Sequence, residues 1–340
     1  MQMTTVLQVS GLTKTYSRKG ETFKAVNNIS FTVGGGEIVG VLGPNGSGKT
    51  TTLKSICGLT GVDAGEIRLN RDVAATDQRS LKQHIGAVLE GARNVYWRLT
   101  PSENIVYFAG LKGVGRKDAK LRAEELITIL ALSEYRDQEV RMLSKGNQQK
   151  VAIACALVHR PCLILLDEPT LGLDVDMVRG MKSWLRTVVD SGQSAMMITS
   201  HDMDFIEAIC DRVVILYRGE IVSENSVAEL RSRYAPQKTF LLQVQGCLSP
   251  DVKRTLQQDG WAVEESENSS QLSLRTHDLL LLSSSLNALT HCGAVLTDIN
   301  VSSDTLEDIF VHAVQGDPAN EPAQAPTKGP AETAEAGKIS

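Results

Sequence analysis

Residues 43–50 read Gly-Pro-Asn-Gly-Ser-Gly-Lys-Thr, the G-x-x-x-x-G-K-T pattern of a loop that binds phosphate groups. The apolar segment 37–42 before this loop predicts a buried strand, and the segment 51–56 after it predicts a helix. Glycine lets the backbone wrap closely around a phosphate chain, so that several N–H groups can meet it at once. The order of strand, loop and helix therefore predicts a nucleotide site.

Two side chains of this loop have specific tasks in such a site. Lys49 can reach the β- and γ-phosphates, and the Thr50 hydroxyl can ligate Mg²⁺. The positive N-terminal end of the following helix dipole also favours an anion. The predicted phosphate-binding residues are Gly43, Pro44, Asn45, Gly46, Ser47, Gly48, Lys49 and Thr50.

The bulk composition narrows the class of protein. The 340 residues predict two domains, while 42% hydrophobic and 22% charged residues are ordinary for a globular protein. A net charge of −5 gives no indication of nucleic-acid binding. The six cysteines form no C-x-x-C pair, which favours reduced thiols and a cytosolic compartment. With no signal-peptide pattern and no apolar run near about 18 residues, any membrane-spanning part is expected on another chain.

Short apolar runs alternate with helix patterns over residues 1–236. Strands are predicted at 6–9, 29–33, 38–42, 163–166, 195–198 and 213–216, and helices after Lys49, Thr100, Ser144, Val175 and His201. Thr100, Pro101 and Glu103 form a strong helix start, with a capping threonine, a first-turn proline and a glutamate three residues after the cap. The alternation predicts an α/β fold with a largely parallel sheet.

Residues 237–315 predict a smaller α+β accessory domain. The predicted elements are a strand at 239–244, a helix at 250–258, a hairpin of 261–263 with 271–275, a helix at 278–289, a strand at 294–299 and a helix at 305–314. The order βαββαβ is typical of a ferredoxin-like domain. Residues 316–340, rich in Pro, Ala, Gly, Glu and Thr, predict a disordered tail.

Two further groups of residues carry chemistry. Asp167 and Glu168 follow the apolar strand at 163–166, so Asp167 can hold the Mg²⁺ shell and Glu168 can polarise the attacking water. The alternative for the pair is an acidic strand end that faces solvent. Ser144 opens a helix beside Gly146, which makes a second anion site, although Ser144 alone is an ordinary helix cap.

In this order the motifs resemble the nucleotide-binding subunit of an ATP-binding cassette (ABC) transporter. The resemblance covers residues 1–236 and implies a P-loop NTPase core with a helical subdomain, binding ATP and Mg²⁺. It implies that Thr51 completes the phosphate contacts, that residues 143–148 are the family signature and that residues 171–174, ending at Asp174, are the D-loop. Tyr16 matches the aromatic residue that stacks on adenine, and His201 the switch histidine.

The resemblance also implies a mechanism. Two such subunits, either two copies or two homologues, sandwich two ATP molecules head to tail, each between the phosphate loop of one subunit and Ser144 and Gly146 of the other. His201 would contact the γ-phosphate and support Glu168, and Asp174 would couple the two sites. Hydrolysis would open the dimer and drive separate membrane permease subunits, with this chain cytoplasmic and peripheral on the inner face of the plasma membrane.

The chain departs from the family pattern in two places. Glu90 stands where glutamine is usual. Glutamate can also ligate Mg²⁺, but it adds a third carboxylate near Asp167 and Glu168. Repulsion among the three carboxylates would slow hydrolysis unless the charge of the metal opposes it. In the signature, Asn147 replaces glutamine and Lys145 replaces a frequent glycine. Lys145 either adds positive charge near the phosphates or faces solvent, and we favour solvent.

Two segments resemble bacterial exporters in particular. Residues 90–100 resemble exporters whose membrane subunit is a separate chain, and residues 305–310 resemble the ending of ATPases of the daunorubicin-efflux type. Tyr96 and Trp97 are candidates for docking the membrane subunit or, equally, for packing within the helical subdomain. The rival functions are a soluble ABC-type ATPase that acts on ribosomes or DNA, and a regulatory module that holds ATP with slow turnover.

Overall fold

The computed structural model describes residues 4–18, 20–69, 73–74, 82–90, 94–190, 194–233, 238–245, 248–266, 269–276, 279–291 and 294–303. The strands are β1 (Thr5–Arg18), β2 (Glu21–Gly34), β3 (Ile38–Leu42), β4 (Ala64–Leu69), β5 (Val73–Ala74), β6 (Ile85–Val88), β7 (Leu163–Asp167), β8 (Ala195–Thr199), β9 (Arg212–Tyr217), β10 (Glu220–Ser226), β11 (Lys238–Gln245), β12 (Ala262–Ser266), β13 (Ser269–Thr276) and β14 (Val295–Ser303). The helices are α1 (Lys49–Ile56), α2 (Pro101–Leu111), α3 (Arg116–Ile129), α4 (Lys145–Leu157), α5 (Val175–Val189), α6 (Met203–Ile209), α7 (Val227–Arg233), α8 (Pro250–Gln258) and α9 (Leu279–His291).

A six-stranded sheet forms the centre of the nucleotide-binding part. Its strand order is β10-β9-β3-β8-β7-β6, and all neighbouring pairs are parallel except β9 with β10. Helices connect the parallel strands, because a parallel neighbour can be reached only by a crossover. The prediction of an α/β fold with a largely parallel sheet is confirmed.

The central strands are buried on both faces, which explains why their sequences are continuously apolar. Ile38 and Leu42 of β3 point into a core shared with α4, α5 and α6. Val39 and Val41 of the same strand point into a second core on the opposite face. The alternation follows from the two-residue period of a strand.

A second sheet, antiparallel and ordered β2-β1-β4-β5, supplies much of that second core. Its main part is a hairpin of two strands with 14 residues each, β1 and β2. The sequence predicted strands only at 6–9 and 29–33, the apolar ends of this hairpin. The polar ends, residues 15–18 and 21–24, also pair, with Tyr16 opposite Phe23.

The helical part between β6 and β7 contains α2, α3 and α4. The predicted helix start at Thr100 is present as a full capping box, in which Thr100 Oγ1 accepts from Glu103 N and Glu103 Oε2 accepts from Thr100 N. The helix α3 was not predicted, although Ala119, Ala123, Leu126 and Ile127 form its buried stripe.

The C-terminal part has its own sheet, ordered β12-β13-β11-β14, and its own apolar core around Phe240, Leu242 and Trp261. With α8 between β11 and β12 and α9 between β13 and β14, this order confirms the ferredoxin-like prediction. The hairpin β12–β13 is longer than predicted, since residues 264–266 and 269–270 belong to its strands. The predicted helix at 305–314 and tail at 316–340 lie outside the described residues.

Two further observations concern the length of the helices and the state of the thiols. No helix in the described part of the chain is long and apolar enough to span a bilayer. The thiols of Cys57, Cys155, Cys162 and Cys210 are free. Burial raises the pKa of Cys57 to about 12, so this thiol stays protonated at neutral pH.

Candidate nucleotide-binding site

The site lies where four neighbouring parallel strands end. The carboxyl ends of β3, β6, β7 and β8 lead into the phosphate loop, Glu90, the Asp167–Glu168 pair and His201. Parallel strands bring such ends to one edge of the sheet, which is where open α/β sheets bind ligands. The topology thus brings together residues that are distant in the sequence, such as Gly43 and His201, which are 158 positions apart.

The phosphate loop leads into the N-terminus of α1. Gly48 is the N-cap and provides no side-chain cap, so the first N–H groups of α1 have no intrahelical acceptor. Gly48 has a φ of 107°, and a Cβ at this position would lie 2.4 Å from the Ala25 carbonyl oxygen, so a larger residue would be strained there. The uncapped N–H groups and the helix dipole form an anion site.

Lys49 lies folded back over the loop. Its Nζ donates to the carbonyls of Gly43 at 2.6 Å and Pro44 at 3.3 Å, and its side chain is buried. Burial lowers the pKa of Lys49, and the nearby carboxylates of Glu168, Asp167 and Glu90 partly oppose this effect. The ammonium group of Lys49 therefore lies near three carboxylates, at the loop where phosphates are expected.

A pocket of about 240 Å³ opens beside this loop. It gathers most of the residues predicted from the sequence and two that were not, Phe23 and Ala25. The lining residues are Tyr16, Phe23, Ala25, Asn45, Gly46, Ser47, Gly48, Lys49, Thr50, Thr51, Glu90, Asp167 and Glu168.

The residues around Asp167 fit a divalent cation. Asp167 Oδ1 accepts from Thr199 Oγ1 at 2.6 Å and from Thr50 Oγ1 at 3.4 Å, whereas its buried Oδ2 has no hydrogen-bond partner. An orphaned buried carboxylate oxygen is costly unless a cation or donor completes it. In the described part of the chain no three His, Cys, Asp or Glu side chains assemble into a ready-made metal site.

Glu168 and His201 form a close pair. His201 Nδ1 lies 2.8 Å from Glu168 Oε2, and the His201 N–H donates to the same oxygen at 3.3 Å. The Glu168 side chain is only 12% exposed, whereas that of His201 is 67% exposed. Glu168 also has a positive φ of 49°, held by its N–H donating to the Thr199 carbonyl at 3.0 Å. The carboxylate is thus oriented from two sides.

Tyr16 borders the other end of the pocket. Its ring centroid lies 5.9 Å from that of Phe23, and Lys14 Nζ lies 5.5 Å from its centroid. Phe23 is 52% exposed, so an apolar ring faces solvent at the pocket rim. This end of the pocket is suited to a planar base, because stacking requires an exposed aromatic face.

The remaining predicted residues are placed less uniformly. Glu90 lines the pocket and its side chain is exposed. The predicted residues absent from the pocket lining are Gly43, Pro44, Ser144, Gly146, Asp174 and His201. Ser144 caps α4 by accepting from Asn147 N, and Asp174 caps α5 by accepting from Met177 N at 2.8 Å. Lys145 is exposed, as expected.

Sequence reasoning missed Thr199, Phe23 and Ala25. Thr199 ends a predicted strand, and only the register that pairs Asp167 with Thr199 shows that its hydroxyl supports the carboxylate. Phe23 and Ala25 lie in the part of β2 that was not predicted as a strand. The signal that could have predicted a strand there is a weak alternation of polar and apolar residues through 21–27.

Comparison with known proteins agrees with this geometry. Residues 26–171 match the family model described as ABC transporter. The ABC transporter ATP-binding protein NatA of Bacillus subtilis is 34% identical over 66% of this chain and 91% of its own length. The linearmycin resistance ATP-binding protein LnrL of Bacillus subtilis and the bacitracin transport ATP-binding protein BcrA of Bacillus licheniformis are both 29% identical, over 90% and 92% of this chain and 97% and 99% of theirs.

Solved structures match as well. A dimeric post-hydrolysis state of the ATP-binding cassette MJ0796 bound to ADP and Pi is 28% identical, with a TM-score of 0.59, covering 65% of this chain and 98% of the cassette. An ATP-binding subunit of an ABC transporter has a TM-score of 0.60 at 27% identity, over 68% of this chain and 93% of its own. The pocket, the carboxylate pair and these likenesses together establish that the chain belongs to the ABC transporter family, as an ATP-binding and ATP-hydrolysing subunit.

Proposed function

We propose that the chain is the ATPase subunit of a bacterial exporter whose membrane-spanning subunits are separate chains. The observation that carries the pairing with a second subunit is the split nature of the site: residues 45–51 and three carboxylates line the pocket, while Ser144 and Gly146 lie outside it. The two relatives that span nearly the whole chain, including its C-terminal part, are named for linearmycin resistance and bacitracin transport. The working place is the inner face of the plasma membrane.

In this proposal the site works as half of a composite. ATP lies with its base on Tyr16 and its phosphates on the phosphate loop, contacted by Lys49, Thr50 and Thr51. Ser144 and Gly146 of a second subunit cover the γ-phosphate. Exposed apolar side chains near this surface, Met142 at 66%, Leu171 at 53% and Val175 at 68%, support a contact with another protein there.

The contacts in the site support the following roles in hydrolysis. Glu168 accepts a proton from the attacking water, because it lines the pocket and is oriented by His201, whereas Asp167 is the buried ligand and Glu90 is exposed. His201 orients Glu168 through the 2.8 Å contact and reaches the γ-phosphate with its exposed ring. Mg²⁺, held by Thr50 and Asp167 with Glu90 close by, would neutralise the charge that develops on the phosphates.

The membrane subunit docks on a groove of about 550 Å³ between β6, α2 and α4. We call it the β6–α2 groove. Its rim carries exposed Leu59 and Leu111, and Tyr96 packs edge-on against Tyr107 beside it, with ring centroids 4.8 Å apart. Tyr96 thus both packs on the helical part and stays 49% exposed, so both predicted roles remain available to it.

The test is the variant Glu168→Gln, which retains the size and hydrogen bonding of the side chain but removes its basicity. We expect phosphate release to fall by about 100-fold or more while ATP binding persists. The variant should also form an ATP-dependent dimer by analytical ultracentrifugation, since the nucleotide stays intact between the subunits. Glu66→Gln, on a surface strand outside the pocket, is the matched control. Undiminished phosphate release by Glu168→Gln would exclude Glu168 as the base.

A further inference from the structure

The beginnings of α4 and α5 pack against each other, and glycines make room for this contact. A Cβ at Gly146, in the first turn of α4, would lie 2.8 Å from Met177 Cε, 3.1 Å from Met177 Cγ and 3.3 Å from Met177 Sδ. A Cβ at Gly172, shortly before α5, would lie 4.0 Å from Lys145 Cδ. Two long, flexible side chains, Met177 and Lys145, therefore each lie over a glycine of the other segment.

The backbone itself does not require a glycine at position 146. Gly172 has a φ of 74°, in the left-handed region that favours glycine, whereas Gly146 lies within a helix and is not among the described glycines with a positive φ. Gly146 is buried, and outside the backbone of its own helix the three heavy atoms nearest to an added Cβ all belong to Met177. Within the described part of the chain, the packing of Met177 is therefore what limits the size of residue 146.

Met177 is held at both ends. Its backbone N–H donates at 2.8 Å to the Oδ1 of Asp174, the residue that caps α5, and its half-buried thioether chain ends on Gly146. A thioether chain is unbranched and polarisable, so it fills the irregular space above a glycine backbone well. Met177 thus sets the spacing between the first turn of α5 and the first turn of α4.

The beginning of α4 carries hydrogen-bond donors that can serve a ligand. Ser144 Oγ accepts from Asn147 N at 3.3 Å, and its hydroxyl hydrogen can still be donated. The N–H groups of Lys145 and Gly146, at the first two positions of the helix, have no intrahelical acceptor. In the proposed function these donors face the γ-phosphate that a second subunit binds. Their reach depends on the placement of the first turn of α4.

We propose that Met177 is a positioning residue for ATP hydrolysis in the neighbouring subunit. By packing on Gly146, it holds the donors of Ser144 and Gly146 where they contact the γ-phosphate. Met177 is absent from the lining of the pocket in its own chain, so it acts through α4 and not on the nucleotide that its own chain binds. The inference rests on the proposed function, since it requires that Ser144 and Gly146 cover the ATP of a second subunit.

The placement of these donors matters because hydrogen bonds act over short distances. A displacement of about 1 Å near reacting groups can lower a rate about 100-fold. Truncation of Met177 should therefore weaken the pairing of subunits and the hydrolysis of ATP, while ATP binding to a single chain stays intact. A side chain that only stabilises α5 would change the melting temperature without producing this difference.

The experiment uses the full chain with Glu168→Gln, for which an ATP-dependent dimer is expected. Analytical ultracentrifugation in Mg-ATP gives the dissociation constant of this dimer with and without Met177→Ala. We expect Met177→Ala to raise the dissociation constant about 10-fold, and Met177→Leu, which retains most of the apolar contact, to raise it about twofold.

Hydrolysis and nucleotide binding are measured separately in the chain that retains Glu168. Met177→Ala should lower phosphate release at saturating ATP about 10-fold. The ATP affinity of the single chain, measured by calorimetry at protein concentrations below those of dimer formation, should not change. Met177→Leu should restore most of the phosphate release.

A double-mutant cycle with Ser144→Ala separates positioning from general stability. Because Ser144→Ala removes one of the donors that Met177 is proposed to position, adding Met177→Ala to it should raise the dissociation constant only about threefold. Val178→Ala is the matched control, since Val178 is the next residue of α5, is also half-buried and packs against the apolar core. It should lower the melting temperature about as much as Met177→Ala and leave the dissociation constant unchanged.

The contrary outcomes are distinguishable. An unchanged dissociation constant of Met177→Ala overturns the proposal. So does an equal effect of Val178→Ala, or an effect of Met177→Ala that is as large with Ser144→Ala as without it, because either result would reduce Met177 to a stabilising residue of α5. Absence of an ATP-dependent dimer when Glu168→Gln is the only change would instead refute the proposed pairing of two subunits.

Discussion

Thr199 contacts both Asp167 and Glu168, so its replacement tests how the structure positions these two residues. Its hydroxyl donates to Asp167 Oδ1 at 2.6 Å and accepts from the Glu168 N–H at 3.1 Å. Thr199 is fully buried, so water cannot take its place without rearrangement. The variant Thr199→Val keeps the shape of the side chain and removes only the hydroxyl.

The expected magnitude follows from the kind of hydrogen bond that is lost. A hydrogen bond to a charged group contributes about 1.5–3 kcal/mol, and Asp167 would retain only the longer contact from Thr50 at 3.4 Å. We therefore expect the free energy of unfolding to fall by about 2 kcal/mol, equivalent to a melting temperature lower by about 4–8 °C. Because Asp167 is also less well oriented, Mg²⁺ affinity or turnover should fall by about 10- to 100-fold.

Thermal denaturation and phosphate release across a Mg²⁺ titration measure the two effects. Thr199→Ser keeps the hydroxyl and is the matched control, which should lose little activity. Addition of Mg-ATP should recover part of the stability of Thr199→Val, since the cation takes over the unpaired oxygens of Asp167. Wild-type stability and Mg²⁺ dependence of Thr199→Val, or equal damage from Thr199→Ser, would refute this account of the site.

Three other expectations concern different parts of the chain. Burial lowers the pKa of His159 to about 4 in the folded chain, whereas this pKa is near 6.5 in the unfolded chain. Between these pH values the unfolded chain binds more protons, so the free energy of unfolding falls as the pH falls. The variant His159→Gln should remove up to about 3 kcal/mol of that loss, measured by urea titrations at pH 6.5 and pH 4. Gly86→Ala would push its Cβ against the Ala156 carbonyl and should cost about 1–3 kcal/mol by urea denaturation, whereas Gly180→Ala, exposed on α5 with free space, should gain about 0.5–1 kcal/mol. Glu90→Gln should raise the Mg²⁺ concentration for half-maximal phosphate release about threefold, because one anionic ligand is lost, and an unchanged requirement would place Glu90 outside the metal shell.

The sequence predicted the central sheet well, because its strands are buried on both faces. Residues 38–42 and 163–166 are apolar without interruption, and the helix after Thr100 has an explicit cap. It predicted the β1–β2 hairpin poorly, since the outer half is polar and solvent-exposed, with residues 21–24 all exposed. There the strand exists because it pairs with its neighbour, and such pairing leaves little trace in the hydrophobic pattern.

The candidate site also combines residues that local motifs predict with residues that only strand pairing brings together. Lys49, Asp167 and Glu168 follow from local motifs that each need a fixed backbone geometry. Thr199 is brought to Asp167 by a parallel pairing across 32 residues, which no local pattern records. The sequence-based roles of Ser144 and Asp174 in a second subunit's site remain predictions, since within this chain each caps a helix.

The left-handed backbone of Glu168, the proposed catalytic base, destabilises the subunit that carries it. A non-glycine residue in that conformation costs about 1–3 kcal/mol. A change to glycine would relieve the backbone and end hydrolysis together, so the inactive protein could melt at a higher temperature than the active one. Glutamine would keep the backbone cost and end hydrolysis alone. Selecting variants at position 168 for yield or thermostability would therefore favour inactive protein. High stability of such a variant would not indicate that it hydrolyses ATP.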